Sequence, residues 1–220
     1  MSVASQLAAP DDPGEFREPP FARFLFADTR IMPWVWLLVR LYLGYEWLSA
    51  GLEKVTGPNS AVWVGDKAGA AIIGFVNGAL QKTGGEHPDV QGWYATFLQD
   101  IVIPNAAFFA RLVAFGETLV GVALIVGALT GIAAFFGILM NANYLLAGAV
   151  SSNPVLIILG TFVMLAWRNA GWIGLDRWLL PALGTPWQPG RLFRERAAGG
   201  ERDALAEHES RERGQGPGAT

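Results

Sequence analysis

Four ionisable side chains, Arg40, Glu46, Glu53 and Lys54, stand inside the apolar stretch RLYLGYEWLSAGLEK, residues 40 to 54. A second apolar stretch holds Arg111 and Glu117, and a third holds Asn141 and Asn143. In such surroundings a carboxylate is suited to exchanging protons, and a guanidinium or ammonium to holding or polarising a carbonyl. A charge at a bilayer centre costs about 2.5 to 3.5 kcal/mol on insertion scales, so these groups need an interior partner or a water-filled cavity.

Helical geometry sorts the candidates. At about 100° per residue, Arg40, Gly44, Trp47, Gly51 and Lys54 share one stripe, and Tyr42, Glu46 and Glu53 share another roughly opposite. Glu46 lies near the middle of the first stretch, whereas Glu53 and Lys54 lie at its outer edge, where long side chains snorkel as interfacial anchors. Glu117 shares its side with Ala107, Ala110, Ala114 and Gly121, a small-residue face that turns it toward neighbouring helices. Arg40 and Arg111 are both open as its counter-ion. Asn141 lies with Ala134, Gly137 and Gly148 on another small-residue face and is suited to hydrogen bonding in the same interior. The candidate catalytic groups are therefore Glu117 and Glu46, and the candidate binding groups Arg40, Lys54 and Asn141, with no metal site. The competing reading for Arg40 and Glu117 is an internal ion pair that only fixes helix register; for Asn141 and Asn143 it is helix packing. His87, in the turn GGEHPD, reads as solvent-exposed.

The elements that must position these groups are helical. Four stretches, roughly 33 to 55, 105 to 126, 130 to 150 and 154 to 170, are long and apolar enough to approach the roughly 20 residues a bilayer demands. The short joins GALTG and SSNP make the last three antiparallel neighbours. Between the first and second lies an insertion, roughly 57 to 104, in which DKAGAAIIGFVNGALQK has helical apolar spacing and TGGEHPDVQG has turn chemistry. FARFLFADTRIMP and GWIGLDRWLLPALG read as short interfacial helices before and after the four stretches. The fold class is thus all-α, an integral membrane four-helix bundle with interfacial amphipathic helices over residues 21–181. Residues 1–20, rich in Pro and acids, and residues 182–220 read as largely disordered tails, the first unlike a signal peptide. Arginines cluster near both outer flanks while the insertion is poor in basic residues, so both termini are expected in the cytoplasm of a prokaryotic inner membrane.

Composition narrows the function. The chain has 220 residues, 52% of them hydrophobic and 16% charged, with nine Trp, more apolar than a soluble core requires. A net charge of -3 without a basic stripe sets nucleic-acid binding aside. With no cysteine there is no disulfide, iron-sulfur cluster or thiol exchange, and with only His87 and His208 a bis-histidine haem is not expected. Electrons passing through this chain would travel on something bound to it.

The pairing of RLYLGYEWLSAGLEK with FGETLVGVALIVGALTGIAA resembles the DoxX/DoxD family of small four-helix membrane proteins. The family's first span carries Arg, Gly, a later Gly and Lys, matched here by Arg40, Gly44, Gly51 and Lys54. Its second carries a Glu leading into a Gly-rich stretch ending in Leu-Thr, matched by Glu117, Gly121, Gly127, Leu129 and Thr130. The resemblance covers roughly residues 31 to 181 and implies membrane redox metabolism. DoxD-like members form the quinone-reactive part of thiosulfate:quinone oxidoreductase beside a separate small subunit, whereas most DoxX-like members have no settled activity. This chain departs from the pattern in its long insertion and in lacking a fused second-subunit domain. The expectation is a quinone-associated subunit of a membrane redox complex, with a protein partner, in which Arg40 positions the head group and Glu117 or Glu46 exchanges protons. Lys54 and the insertion helix stand at the outer mouth. A non-catalytic membrane anchor or assembly subunit of a respiratory complex is the alternative, and a small-solute transporter the third reading.

Overall fold

The computed structural model describes residues 19–28, 30–185 and 188–194. Most of both expected tails lies outside the described residues. Among the described residues the fold is all-α apart from a two-residue antiparallel pair, Gly184–Thr185 with Gln188–Pro189, in the segment assigned to the C-terminal tail. Helices run α1 Pro20–Ala27, α2 Met32–Thr56, α3 Ser60–Trp63, α4 Ala70–Leu80, α5 Gly92–Phe97, α6 Ala106–Val126, α7 Thr130–Leu146, α8 Asn153–Leu165, α9 Trp167–Ala170 and α10 Asp176–Leu183, with a π-helical turn Leu98–Val102 after α5.

Local chemistry sets the helix ends. The Asp28 carboxylate accepts backbone N–H bonds from Arg30, Ile31 and Met32 at 2.8 to 3.1 Å, placing an anion at the start of α2, where Pro33 fits the first turn. These donors, Ile31 and Met32 foremost, hold the Asp28 carboxyl below its usual range. Gly127, with φ of 69°, stops α6 in the left-handed conformation. Leu129 follows with φ of 49°, an unusual conformation for a branched residue. It is held there by the chain's far end, since the Asp176 carboxylate accepts from Leu129 N at 2.6 Å and Thr130 N at 2.8 Å and so caps α7.

Helices α2, α6, α7 and α8 form the bundle, with α2 packed most extensively on α6 and α7 on α8. Glycines set the α2–α6 spacing: a Cβ at Gly51 would stand 2.5 Å from Thr118 N, and one at Gly121 would run into the backbone of Leu48. One buried cluster, including Trp36, Leu43, Trp47, Leu124 and Val163, fills the bundle, and a second, including Val76, Val90, Tyr94, Leu98 and Ala110, joins the insertion to α6.

The outer surface stays apolar. Phe108, Leu112, Phe115 and Leu119 on α6, Phe135, Phe136 and Leu139 on α7, and Ile158, Phe162 and Leu165 on α8 are all exposed. A belt of that extent is what lipid covers. Among the described residues α6 is long and apolar enough to cross a membrane by length and composition. Of the other three stretches, α2 keeps its expected length but carries Arg40, Glu46, Glu53 and Lys54, α7 stops at Leu146 before Gly148 at φ of 70°, and α8 breaks at Ala166 before α9.

Candidate functional site

The α2–α6 contact carries Lys54 to Glu117. Lys54 Nζ donates to Glu117 Oε2 at 2.7 Å, with the lysine side chain 19% exposed and the glutamate 3%. From α7, the Tyr144 hydroxyl donates to Glu117 Oε1 at 2.5 Å. Both carboxylate oxygens are thus engaged, one by a cation and one by a neutral donor, which is how a buried charge is tolerated. Lys54 also donates to Ala50 O at 3.3 Å and lies 5.1 Å from the centroid of the Trp63 ring. An ammonium has three N–H groups, so one remains for another acceptor.

These groups line a cavity of about 490 Å³. Its walls are Ile72, Phe75 and Val76 of α4, Tyr94, Phe97, Leu98 and Val102 of the α5 region, Phe109, Leu112 and Val113 of α6, and Leu139 and Met140 of α7. Ser151, Ser152 and Asn153 give it a polar rim in the α7–α8 connection. The insertion is fastened over it at two points. Tyr94 OH reaches Asn143 O and Oδ1, both at 3.1 Å, and Lys82 Nζ donates to Gly148 O at 2.6 Å. Burial pushes the Tyr94 phenol up to about 12. An apolar, partly enclosed space with a few convergent polar groups has the form of a small-molecule site.

A family comparison decides what kind of chain this is. The DoxX family model matches residues 35–149, from the first turn of α2 through the insertion to the end of α7. The chain belongs to the DoxX family. Comparison with curated proteins and with solved structures gives no match. Family membership and the apolar belt together make this a membrane protein.

Within this DoxX chain, the sequence-predicted residues do not gather in one place. Lys54, expected as an interfacial anchor, is the counter-ion of Glu117. Arg40, one of two counter-ions left open, is buried at 1% but sits at the other end of α2, about 21 Å from Lys54 at 1.5 Å per residue. There its Nη2 donates to Ile173 O at 2.7 Å, its head packs against Gly127 and Gly174, and Asp176 is its counter-charge. The guanidinium thus fastens the 171–176 segment to the bundle, and Arg40 and Glu117 do not face one another across a shared cavity. Arg111, the other candidate, is exposed, as are Glu53 and His87. Glu46 is half-buried on α2, outside the cavity wall. Asn141 is 1% exposed, and neither of its side-chain polar atoms has a hydrogen-bond partner among the described residues; it lies one turn from Tyr144 and does not line the cavity. Tyr144 escaped the sequence reading although it lies seven residues from Gly137 and three from Asn141, on the face already marked by small residues. Among the described residues no group of His, Asp and Glu is placed to hold a metal ion.

Proposed function

We propose that this DoxX protein is a quinone-associated subunit of a membrane redox complex such as thiosulfate:quinone oxidoreductase, with the cavity beneath the insertion receiving the quinone head. One observation carries the reading: the Lys54–Glu117–Tyr144 cluster lines a mostly aromatic and aliphatic cavity of about 490 Å³. A bound quinone would supply the electron-accepting chemistry that a chain without cysteine lacks. The residues fit a ring-sized head bearing carbonyl acceptors. Lys54 keeps a donor for a carbonyl, Glu117 and Tyr144 exchange protons beside it, and Phe75, Phe97 and Phe109 offer flat apolar contact. In this arrangement the head-positioning role expected of Arg40 passes to Lys54, and Glu46 has no part. The helices α2, α6, α7 and α8 with α9 are the four spans, both termini lie in the cytoplasm of a prokaryotic inner membrane, and a separate protein delivers electrons.

Reconstituted in lipid, the chain should bind a benzoquinone, and Lys54→Met or Glu117→Gln should weaken binding about tenfold or more, as expected for a lost hydrogen bond to a charged group. Arg40→Lys, which keeps the buried charge 21 Å away by the same helix-rise estimate of about 1.5 Å per residue, should not. Unchanged binding in both cavity variants sinks the proposal. The second reading, a non-catalytic anchor or assembly subunit, is favoured by one feature. Phe21 and Phe24 of α1 and Trp178 of α10, on the helices that flank the bundle, are exposed apolar side chains. Retention of a stoichiometric large partner after gentle solubilisation, without quinone binding, would support it.

A further inference from the structure

Two residues of the cavity wall are at once part of the outer surface. Leu112 of α6 is 52% exposed and Leu139 of α7 is 47% exposed, yet both line the cavity. Measured from the turn that joins the two helices, Leu139 lies about 14 Å along α7 and Leu112 about 21 Å back along α6, at about 1.5 Å per residue, so the two are staggered along the gap by about 7 Å. Around them the same two helices expose Phe108, Phe115, Phe135 and Phe136, the belt that lipid covers. The cavity is also roofed by the insertion and lined by Ser151, Ser152 and Asn153, and that roof is tied down by Tyr94 and Lys82.

We propose that the cavity is loaded sideways from the bilayer, through a gap between α6 and α7 gated by Leu112 and Leu139, and that its occupant is a membrane-dissolved amphiphile whose tail stays in that gap among the lipids. The proposal rests on the quinone reading for the head group and adds where the tail lies and how the molecule enters. Two features argue for it. The Lys54–Glu117–Tyr144 cluster is sheltered, the Glu117 side chain being 3% exposed, whereas Leu112 and Leu139 at the gap are apolar and exposed, so a head entering there meets leucine side chains before Glu117. The tethered side offers hydroxyl and amide groups, which suit water and protons better than an isoprenoid chain.

The test uses the full chain in lipid nanodiscs, with quenching of tryptophan fluorescence as the readout and Trp63→Phe to identify the cavity signal, since Trp63 lines it. Two probes are compared, a benzoquinone with a long isoprenoid tail and the same head bearing only a methyl group. Leu112→Phe with Leu139→Phe should slow association of the tailed probe about tenfold, within the range over which gating changes on-rates, and leave the tail-less probe within about twofold. Leu112→Ala with Leu139→Ala should speed the tailed probe. The roof is tested separately. The chain has no cysteine, and a Cβ at Gly148 would lie 3.4 Å from Asp89 Cβ, close to disulfide spacing, so Asp89→Cys with Gly148→Cys can pin the insertion, and the same variant after reductant is the reference that cancels the strain of a side chain at φ of 70° beside Lys82. Pinning should leave the tailed probe unaffected. If it instead stops both probes while the leucine variants change nothing, entry is through the roof and the proposal is overturned. If the unaltered chain binds neither probe, the quinone reading fails and takes this inference with it, an outcome distinct from intact binding with insensitive leucines.

Discussion

Removing Glu117 while leaving Lys54 should destabilise the bundle far more than removing both. The pair is 2.7 Å apart with the carboxylate 3% exposed, so Glu117→Leu leaves an ammonium with one carbonyl and the Trp63 ring as its remaining partners. Breaking a buried pair on one side costs about 3–5 kcal/mol; because Lys54 retains 19% exposure, the lower end, about 3 kcal/mol, is expected. For a chain of this size that corresponds to a fall in Tm of about 6–12 °C. Lys54→Met alone should cost less, because Glu117 keeps the Tyr144 hydroxyl as a hydrogen-bond partner. The double variant Lys54→Met with Glu117→Leu removes both charges and should recover most of the loss, since apolar replacement of a buried pair is near neutral. Thermal unfolding of all four proteins in one detergent gives the coupling, expected at about 2 kcal/mol or more. Losses that add within about 0.5 kcal/mol would refute the reasoning, because the two charges would then be acting independently of one another. A double variant that is stable but no longer binds quinone would separate the chemistry of the pair from its architecture.

Other perturbations have equally definite outcomes. Gly121→Ala places a methyl into the Leu48 backbone and should cost about 1–3 kcal/mol by forcing α2 and α6 apart, measured by thermal unfolding. Asp176→Ala removes the acceptor for Leu129 and Thr130 N–H and the counter-charge of Arg40; a loss of about 2–3 kcal/mol is expected, and Asp176→Asn should recover part of it. Raising pH should weaken the insertion. The Tyr94 phenol titrates at about 12 in the fold against 10.0 ordinarily, so the folded state holds the proton more tightly, and its contribution is intact below pH 10 and lost as pH climbs toward 12. Tyr94→Phe should flatten that slope in hydrogen exchange of α4 and α5. Lowering pH acts on the other end: the depressed Asp28 carboxyl supports the start of α2 above its ordinary 3.8 and loses that support as acid protonates it, a response that Asp28→Asn should abolish.

Particular residues show how far the sequence could be read. The helical stretches at 33–55 and 105–126 are found almost to the residue, as α2 Met32–Thr56 and α6 Ala106–Val126, because apolar runs bounded by Pro33, Gly57, Asn105 and Gly127 carry their own stop signals. The inward turn of Glu117 was readable from Ala110, Ala114 and Gly121 on its face. Its partner was not. Both Arg40 and Lys54 lie on the stripe that faces α6, and choosing between them requires the axial offset of α2 against α6, which Gly51 on Thr118 and Gly121 on Leu48 fix. Tyr144 and the capping carboxylate of Asp176 reach their partners across 27 and 46 or 47 residues, beyond any local spacing rule.

What the sequence by itself determined is the solvent and the secondary structure: an apolar, cysteine-free, helical chain with ionisable groups that must be sheltered, since periodicity and composition are local properties. Only the tertiary structure decided which charges meet. It sent Arg40 to fasten the 171–176 segment and Lys54 to Glu117 beneath the insertion. The physical reason is that the energy of a buried charge depends on which atoms stand within a few ångströms, and that distance is set by how helices slide and clasp, which no single helix encodes.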